Sequence, residues 1–158
     1  MVDDDDDAPL RVLVDADACP VKDEIYKVAA RYGVQVFVVA NAPLRVPKDP
    51  SIELIVVEAG PDAADDWIAR RAGRNAIVVT ADIPLAGRCL KGGAQVIGTT
   101  GKPFTDASIG SALAGRGLSE HLRSIGQSTR GPAAFGPNDR SRFLQALDAA
   151  IVKAQRKA

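Results

Sequence analysis

Acids recur at comparable places along this chain. Asp15 and Asp17 follow the apolar stretch Leu10 to Val14, Asp62, Asp65 and Asp66 crowd five residues, and Asp82 follows the apolar run Ala76 to Thr80. Carboxylates without accompanying His or Cys clusters are hard oxygen ligands, suited to Mg²⁺ or Mn²⁺ rather than zinc. Such ions polarise a phosphoryl oxygen, generate hydroxide near neutral pH and stabilise a leaving oxygen, the needs of phosphodiester hydrolysis. An Asp after a strand also makes Asx turns or caps the next helix. The recurrence, rather than any single acid, is what points to a cation.

The surrounding pattern predicts the elements that would hold these acids. Leu10 to Val14 reads as a strand, and Pro20 opens a helix with Val21, Ile25, Val28, Ala29 and Tyr32 on its apolar face and Gly33 as its stop. Val34 to Val39 is a β-branched run expected to be buried on both faces. Residues 40–51 hold three prolines and exclude a helix. A third strand, Ile52 to Val57, follows, with its direction left open by that long loop. A helix from Pro61 to Gly73 carries Ala64, Trp67, Ile68 and Ala72 as its stripe, with Asp62, Asp65 and Asp66 in its first turn. One acid there is favoured by the helix dipole, but three repel one another. Ala76 to Thr80 is the fourth strand, a short helix runs to Lys91, and Gln95 to Gly98 is the fifth strand. Beyond Thr99 lie a loop, a helix from Ser108 to Arg123, a polar connection, and a last helix capped by Asn138 or Asp139 that buries Phe143, Leu147 and Ile151.

This alternation defines an α/β fold of three layers, a mostly parallel sheet of about five strands flanked by helices. Ligands of such sheets bind above the carboxyl ends of the strands, where Asp15, Asp17 and Asp82 fall. The 158 residues make one domain, long enough to bury about 68 to 70% of the surface of the unfolded chain. Residues 10–158 are assigned to it, and residues 1–9, with the run Asp3 to Asp7, to a disordered acidic tail. Cys19 and Cys89 fit no disulfide framework or metal spacing, and no signal peptide or long apolar run is visible, so a cytoplasmic protein without a membrane partner is expected. Residues 1–84 carry a net charge of −7 and residues 85–158 of +7, which suits a metal beside a polyanion as well as an ordinary solvated surface.

The sequences D-A-D-A-C-P, V-A-N-A-P-L-R-V-P, A-D-D-W-I, V-V-T-A-D-I-P-L-A, and R-G-P followed by F-G-P-N-D-R-S-R-F-L-Q-A-L together resemble the YaiI/YqxD family of small bacterial proteins. The resemblance runs from about Leu10 to Ile151. That family is similar to PIN-domain proteins, metal-dependent nucleases with a parallel sheet and an acidic site. The resemblance implies that Asp15 is the acid after the first strand, Asp65 the helical acid of a D-x-x-I element with Ile68, and Asp82 the acid of a T-x-D element with Thr80. Asp17 is additional to the PIN pattern, and Asp106 is the candidate for a fourth acid.

The resulting expectation is a Mg²⁺- or Mn²⁺-dependent nuclease acting on RNA in preference to DNA. Asp15, Asp17, Asp65 and Asp82 would be its catalytic metal ligands, supported by Asp62 and Asp66. Lys22, Arg45, Lys102 and Arg130 are the candidate phosphate contacts. D-A-D-A-C also resembles the start of haloacid-dehalogenase-type phosphatases, which would make Asp15 a nucleophile. A non-catalytic nucleic-acid-binding module is the third reading. Cys19 at a helix start is either a low-pKa thiolate or a small packed residue, Trp67 belongs to the apolar stripe, and His121 has no visible triad partner. The oligomeric state is open.

Overall fold

The structure, a computed structural model, describes residues 9–17, 19–58, 60, 62–114 and 136–157. The Asp3 to Asp7 run, His121 and Arg130 lie outside the described residues. β1 (Arg11–Asp15), β2 (Gln35–Ala40), β3 (Ile52–Val56), β4 (Ala76–Val79), β5 (Gln95–Ile97) and β6 (Pro103–Phe104) form one sheet in the order β3-β2-β1-β4-β5-β6. The first five strands are mutually parallel, which settles the direction of β3. β6 is antiparallel to β5 and adds a strand inside the stretch expected to be a loop. Two residues bounded by Lys102 and Thr105 give no readable period, so only the pairing with β5 reveals it.

Each strand alternates its faces, and the two faces build separate cores. Val12, Val14, Val36, Val38, Ile77 and Val79 turn toward α1 (Lys22–Tyr32) and α5 (Pro137–Lys157), where Ile25, Val28, Phe143, Leu147 and Ile151 meet them. Leu13, Val39 and Val78 turn toward α2 (Ala63–Arg71), α3 (Ile83–Lys91) and α4 (Asp106–Ala114), contributing to a core with Ala64, Ile68, Leu85, Ala86 and Ile109. Helices therefore cover both faces of the sheet, the expected three layers. The proline-rich segment between β2 and β3 crosses on the first face, with Leu44 and Val46 half-buried against it.

Helix starts differ from the sequence reading by small amounts, each with a local cause. α1 begins at Lys22 rather than Pro20, because Pro20 lies in the preceding turn and Val21 occupies the cap position. α4 begins at Asp106 rather than Ser108. The Thr105 N–H donates to Ser108 Oγ at 2.8 Å and the Ser108 N–H to Thr105 Oγ1 at 3.0 Å, a reciprocal cap legible in T-D-A-S. Its expected extension to Arg123 lies outside the described residues. α5 begins at Pro137, the first-turn position proline favours. Asp139 is not the cap; its carboxylate accepts the Gly136 N–H at 3.1 Å from inside the first turn. Gly101, at φ +91°, lets the loop between β5 and β6 close on α5, where a Cβ would stand 2.8 Å from the Arg142 carbonyl oxygen.

The strand order has a direct consequence for the acids. From β1 the chain moves outward to β2 and β3, then returns to the other side of β1 for β4 and β5. The reversal lies between β1 and β4, and there the carboxyl ends open a crevice. Asp15 is the last residue of β1, and Asp82 follows β4.

Candidate functional site

Thr80 links the two sides of the crevice. It is the first residue after β4, only 1% exposed, and its hydroxyl donates to Asp15 Oδ2 at 2.8 Å. Thr80 Oγ1 itself accepts the Asp82 N–H at 3.0 Å. Asp82 in turn caps α3, its Oδ1 accepting the Leu85 N–H at 2.8 Å. The capping role of Asp82 is thus real, and it fixes one carboxylate oxygen. The T-x-D element contains Thr80, but only the packed structure shows its hydroxyl joining Asp15 to the Asp82 backbone.

Thr80→Val tests this link, since valine keeps the shape and removes both bonds. It leaves a half-buried carboxylate and a backbone N–H without their partner, so a loss of about 1–3 kcal/mol in urea denaturation is expected. Unchanged stability would show that the hydroxyl is dispensable.

Asp65 approaches from the first turns of α2. Burial and the charges of Asp82, Asp15 and Asp62 push its carboxyl up to about 6, while Arg88 opposes the shift. Asp15 is half-buried, and that burial raises its carboxyl too, against bonds from Thr80 and the Asp17 backbone, with Asp17 and Asp82 adding repulsion. Asp15, Asp65 and Asp82 are therefore brought to one edge, with Asp17 and Asp62 close enough for their fields to act. Asp66 is turned to a different partner: its Oδ1 accepts from Arg88 Nη1 at 2.9 Å.

The raised value of Asp65 predicts a pH effect on stability. Between the ordinary aspartate value of 3.8 and about 6 the folded protein holds a proton that the unfolded chain has lost. Stability therefore falls as pH rises through that window. Asp65→Asn should raise stability at pH 7 by about 1 kcal/mol after allowance for solvent screening, or about 2–4 °C in Tm. Thermal melts of both proteins at pH 4 and pH 7 check it, the gain shrinking at the lower pH.

The candidate cations are dispersed. Lys22, half-buried at the start of α1, donates from Nζ to the Cys19 carbonyl oxygen at 3.2 Å, and its charge reaches the Cys19 thiol together with that of Asp15. Arg45 is exposed in the segment between β2 and β3, and Lys102 is exposed between β5 and β6. Asp106 is exposed at the start of α4 and lines an apolar groove with Phe104 and Ala150, apart from the acids above. The thiolate reading of Cys19 does not hold: the side chain is buried, and burial pushes its thiol up. Trp67 packs near Phe37, with ring centroids 6.0 Å apart, and the Arg71 guanidinium lies 3.9 Å over its ring.

Among the described residues no three His, Cys, Asp or Glu side chains converge closely enough to hold an ion in common. The donor set nevertheless suits Mg²⁺, which keeps several waters and is held by one or two carboxylates plus substrate phosphates rather than by an all-protein cage. Asp15 and Asp65 are the carboxylates raised by burial first and by neighbouring acids second, and a cation beside them would favour their charged forms.

Fold and site together define a three-layer α/β protein with an acidic crevice at the point where the strand order reverses. The chain belongs to the YaiI/YqxD family: a family profile described as "Uncharacterized BCR, YaiI/YqxD family" matches residues 13–153. A UPF0178 protein of Caulobacter sp. (strain K31) is 66% identical over 145 residues, covering 92% of this chain and 96% of the relative. One from Rhodopseudomonas palustris (strain BisB18) is 62% identical over 149 residues, covering 94% and 96%. A third, from Azorhizobium caulinodans, is 58% identical over 148 residues, covering 94% and 93%. No helix among the described residues is long and apolar enough to cross a membrane.

Proposed function

We propose that this protein is a divalent-metal-dependent phosphodiesterase acting on nucleic acid, RNA in preference to DNA, with its site at the β1/β4 crevice. The observation that carries the reading is the gathering of Asp15, Asp65 and Asp82 at that edge, with the Asp65 carboxyl held up at about 6 by burial and by its acidic neighbours. When bound there, Mg²⁺ or Mn²⁺ supplies Lewis acidity to a phosphoryl oxygen and lowers the pKa of an attacking water. Asp15 and Asp65 would hold the ion, with the remaining oxygen of Asp82 beside them. Thr80 keeps Asp15 oriented, and Asp17 and Asp62 add to the negative field that attracts the cation. Lys22, whose Nζ donates to the Cys19 carbonyl oxygen at the start of α1, would be the cation that meets a phosphate.

Calorimetric titration of Mg²⁺ and Mn²⁺, followed by incubation of the loaded protein with labelled RNA and DNA, tests the reading. Saturable heats and cleavage stopped by EDTA are expected. Salt-sensitive RNA binding without cleavage under either metal would replace it by a non-catalytic binding module. Turnover of small phosphomonoesters, with a trappable acyl phosphate on Asp15, would replace it by a phosphatase.

A further inference from the structure

Asp66 was expected among the metal ligands, yet it engages Arg88, a residue that sequence reasoning did not single out. Both belong to helices that start at the acidic edge: Asp66 lies near the beginning of α2, and α3 follows directly on Asp82. Long helical side chains lean back toward the helix N-terminus. Arg88, in the later part of α3, thereby reaches the first turn of α2, where Asp66 Oδ1 accepts its Nη1 at 2.9 Å. Asp66 adjoins Asp65 in the first turn of α2, so the ion pair stands at the helix start that carries Asp65.

The pair is open to solvent, with the Arg88 side chain 49% exposed and that of Asp66 42% exposed. An exposed ion pair contributes little to folding. What it does accomplish is alignment: one donor of the guanidinium is fixed, and the planar fork retains donors matched to two oxygens of a phosphate. A cation at the rim of a negative site also lessens the repulsion that a polyanionic backbone would meet there.

We propose that Arg88, aligned by Asp66, grips a backbone phosphate of the nucleic acid beside the acidic edge. The assignment rests on the phosphodiesterase reading. Asp66 is then a positioning residue and no metal ligand.

Anisotropy measurements of a fluorescent oligouridylate binding to the full chain, over a range of KCl and in parallel with Mg²⁺ and with EDTA, test it. Arg88→Gln should weaken binding about tenfold at fixed salt and flatten the slope of log affinity against log salt by about 0.7, the loss of one phosphate contact. Arg88→Lys should restore the slope but not the full affinity, having the charge without the fork. Asp66→Asn should weaken binding with the slope unchanged. Mn²⁺ affinity should be undiminished in Arg88→Gln and Asp66→Asn.

Wild-type binding with an indifferent Arg88→Gln would overturn the role of Arg88 alone. Loss of Mn²⁺ affinity in Arg88→Gln would overturn it as well, assigning Arg88 to the upkeep of the acidic site. Loss in Asp66→Asn would return Asp66 to the ligands. A wild-type protein that ignores the oligonucleotide under both conditions would overturn the phosphodiesterase reading together with this one.

Discussion

Asp15→Asn is expected, on the proposed phosphodiesterase reading, to abolish the calorimetric signal of Mn²⁺ and to lower RNA cleavage at least about 100-fold, because it removes the charge of a proposed metal ligand. The change is nearly isosteric, and its amide oxygen can still accept the Thr80 hydroxyl that now bonds Asp15 Oδ2. Folding should therefore survive. In the metal-free protein it should even benefit, since burial and the charges of Asp17 and Asp82 disfavour the ionised form of Asp15. A variant that melts no lower than wild type and yet binds no metal would separate loss of function from loss of structure. Equal heats from both proteins would sink the assignment of Asp15.

Phe143→Ala should produce the largest loss of stability. Phe143 is 0% exposed and heads the fully buried side chains, on the face of the sheet covered by α1 and α5. Removing a ring from such a site costs about 3–5 kcal/mol, as lost transfer energy plus the cavity left behind. That is a large share of the roughly 5–15 kcal/mol by which a domain is stable. Urea denaturation should show the loss, and thermal melting a drop of about 10 °C or more. Asp15, Asp65 and Asp82 do not depend on α5 for their hydrogen bonds, so metal binding by the folded fraction should persist. A loss below about 1 kcal/mol would mean that the core re-forms around the gap.

The identity of most elements was legible because it depends on local periodicity. The β-branched runs became β2 and β4, and the apolar stripes of α1 and α2 became buried contacts. Errors fell where local signals compete. Pro20 suits a first helical turn but lies in the turn before it, and Asp139 suits a cap but bonds the Gly136 N–H from within the helix. The T-D-A-S cap before α4 is a local signal, whereas β6 has none of its own.

For the site, sequence fixes the residue types and their positions at strand ends and helix starts. It determines that Asp15, Asp65 and Asp82 are placed for one sheet edge, provided the strands run parallel. Which strands are neighbours is a matter of long-range hydrogen bonding that no local pattern encodes, and only the tertiary structure sets β4 beside β1. From that pairing come the Thr80 bond to Asp15, the burial and acidic neighbours that lift Asp65, and the crevice itself. The same distinction separates Asp65 from Asp66, adjacent residues of one helix. Successive helical positions point about 100° apart, so one acid meets the site and the other meets Arg88, according to what the packed sheet and helices bring within reach.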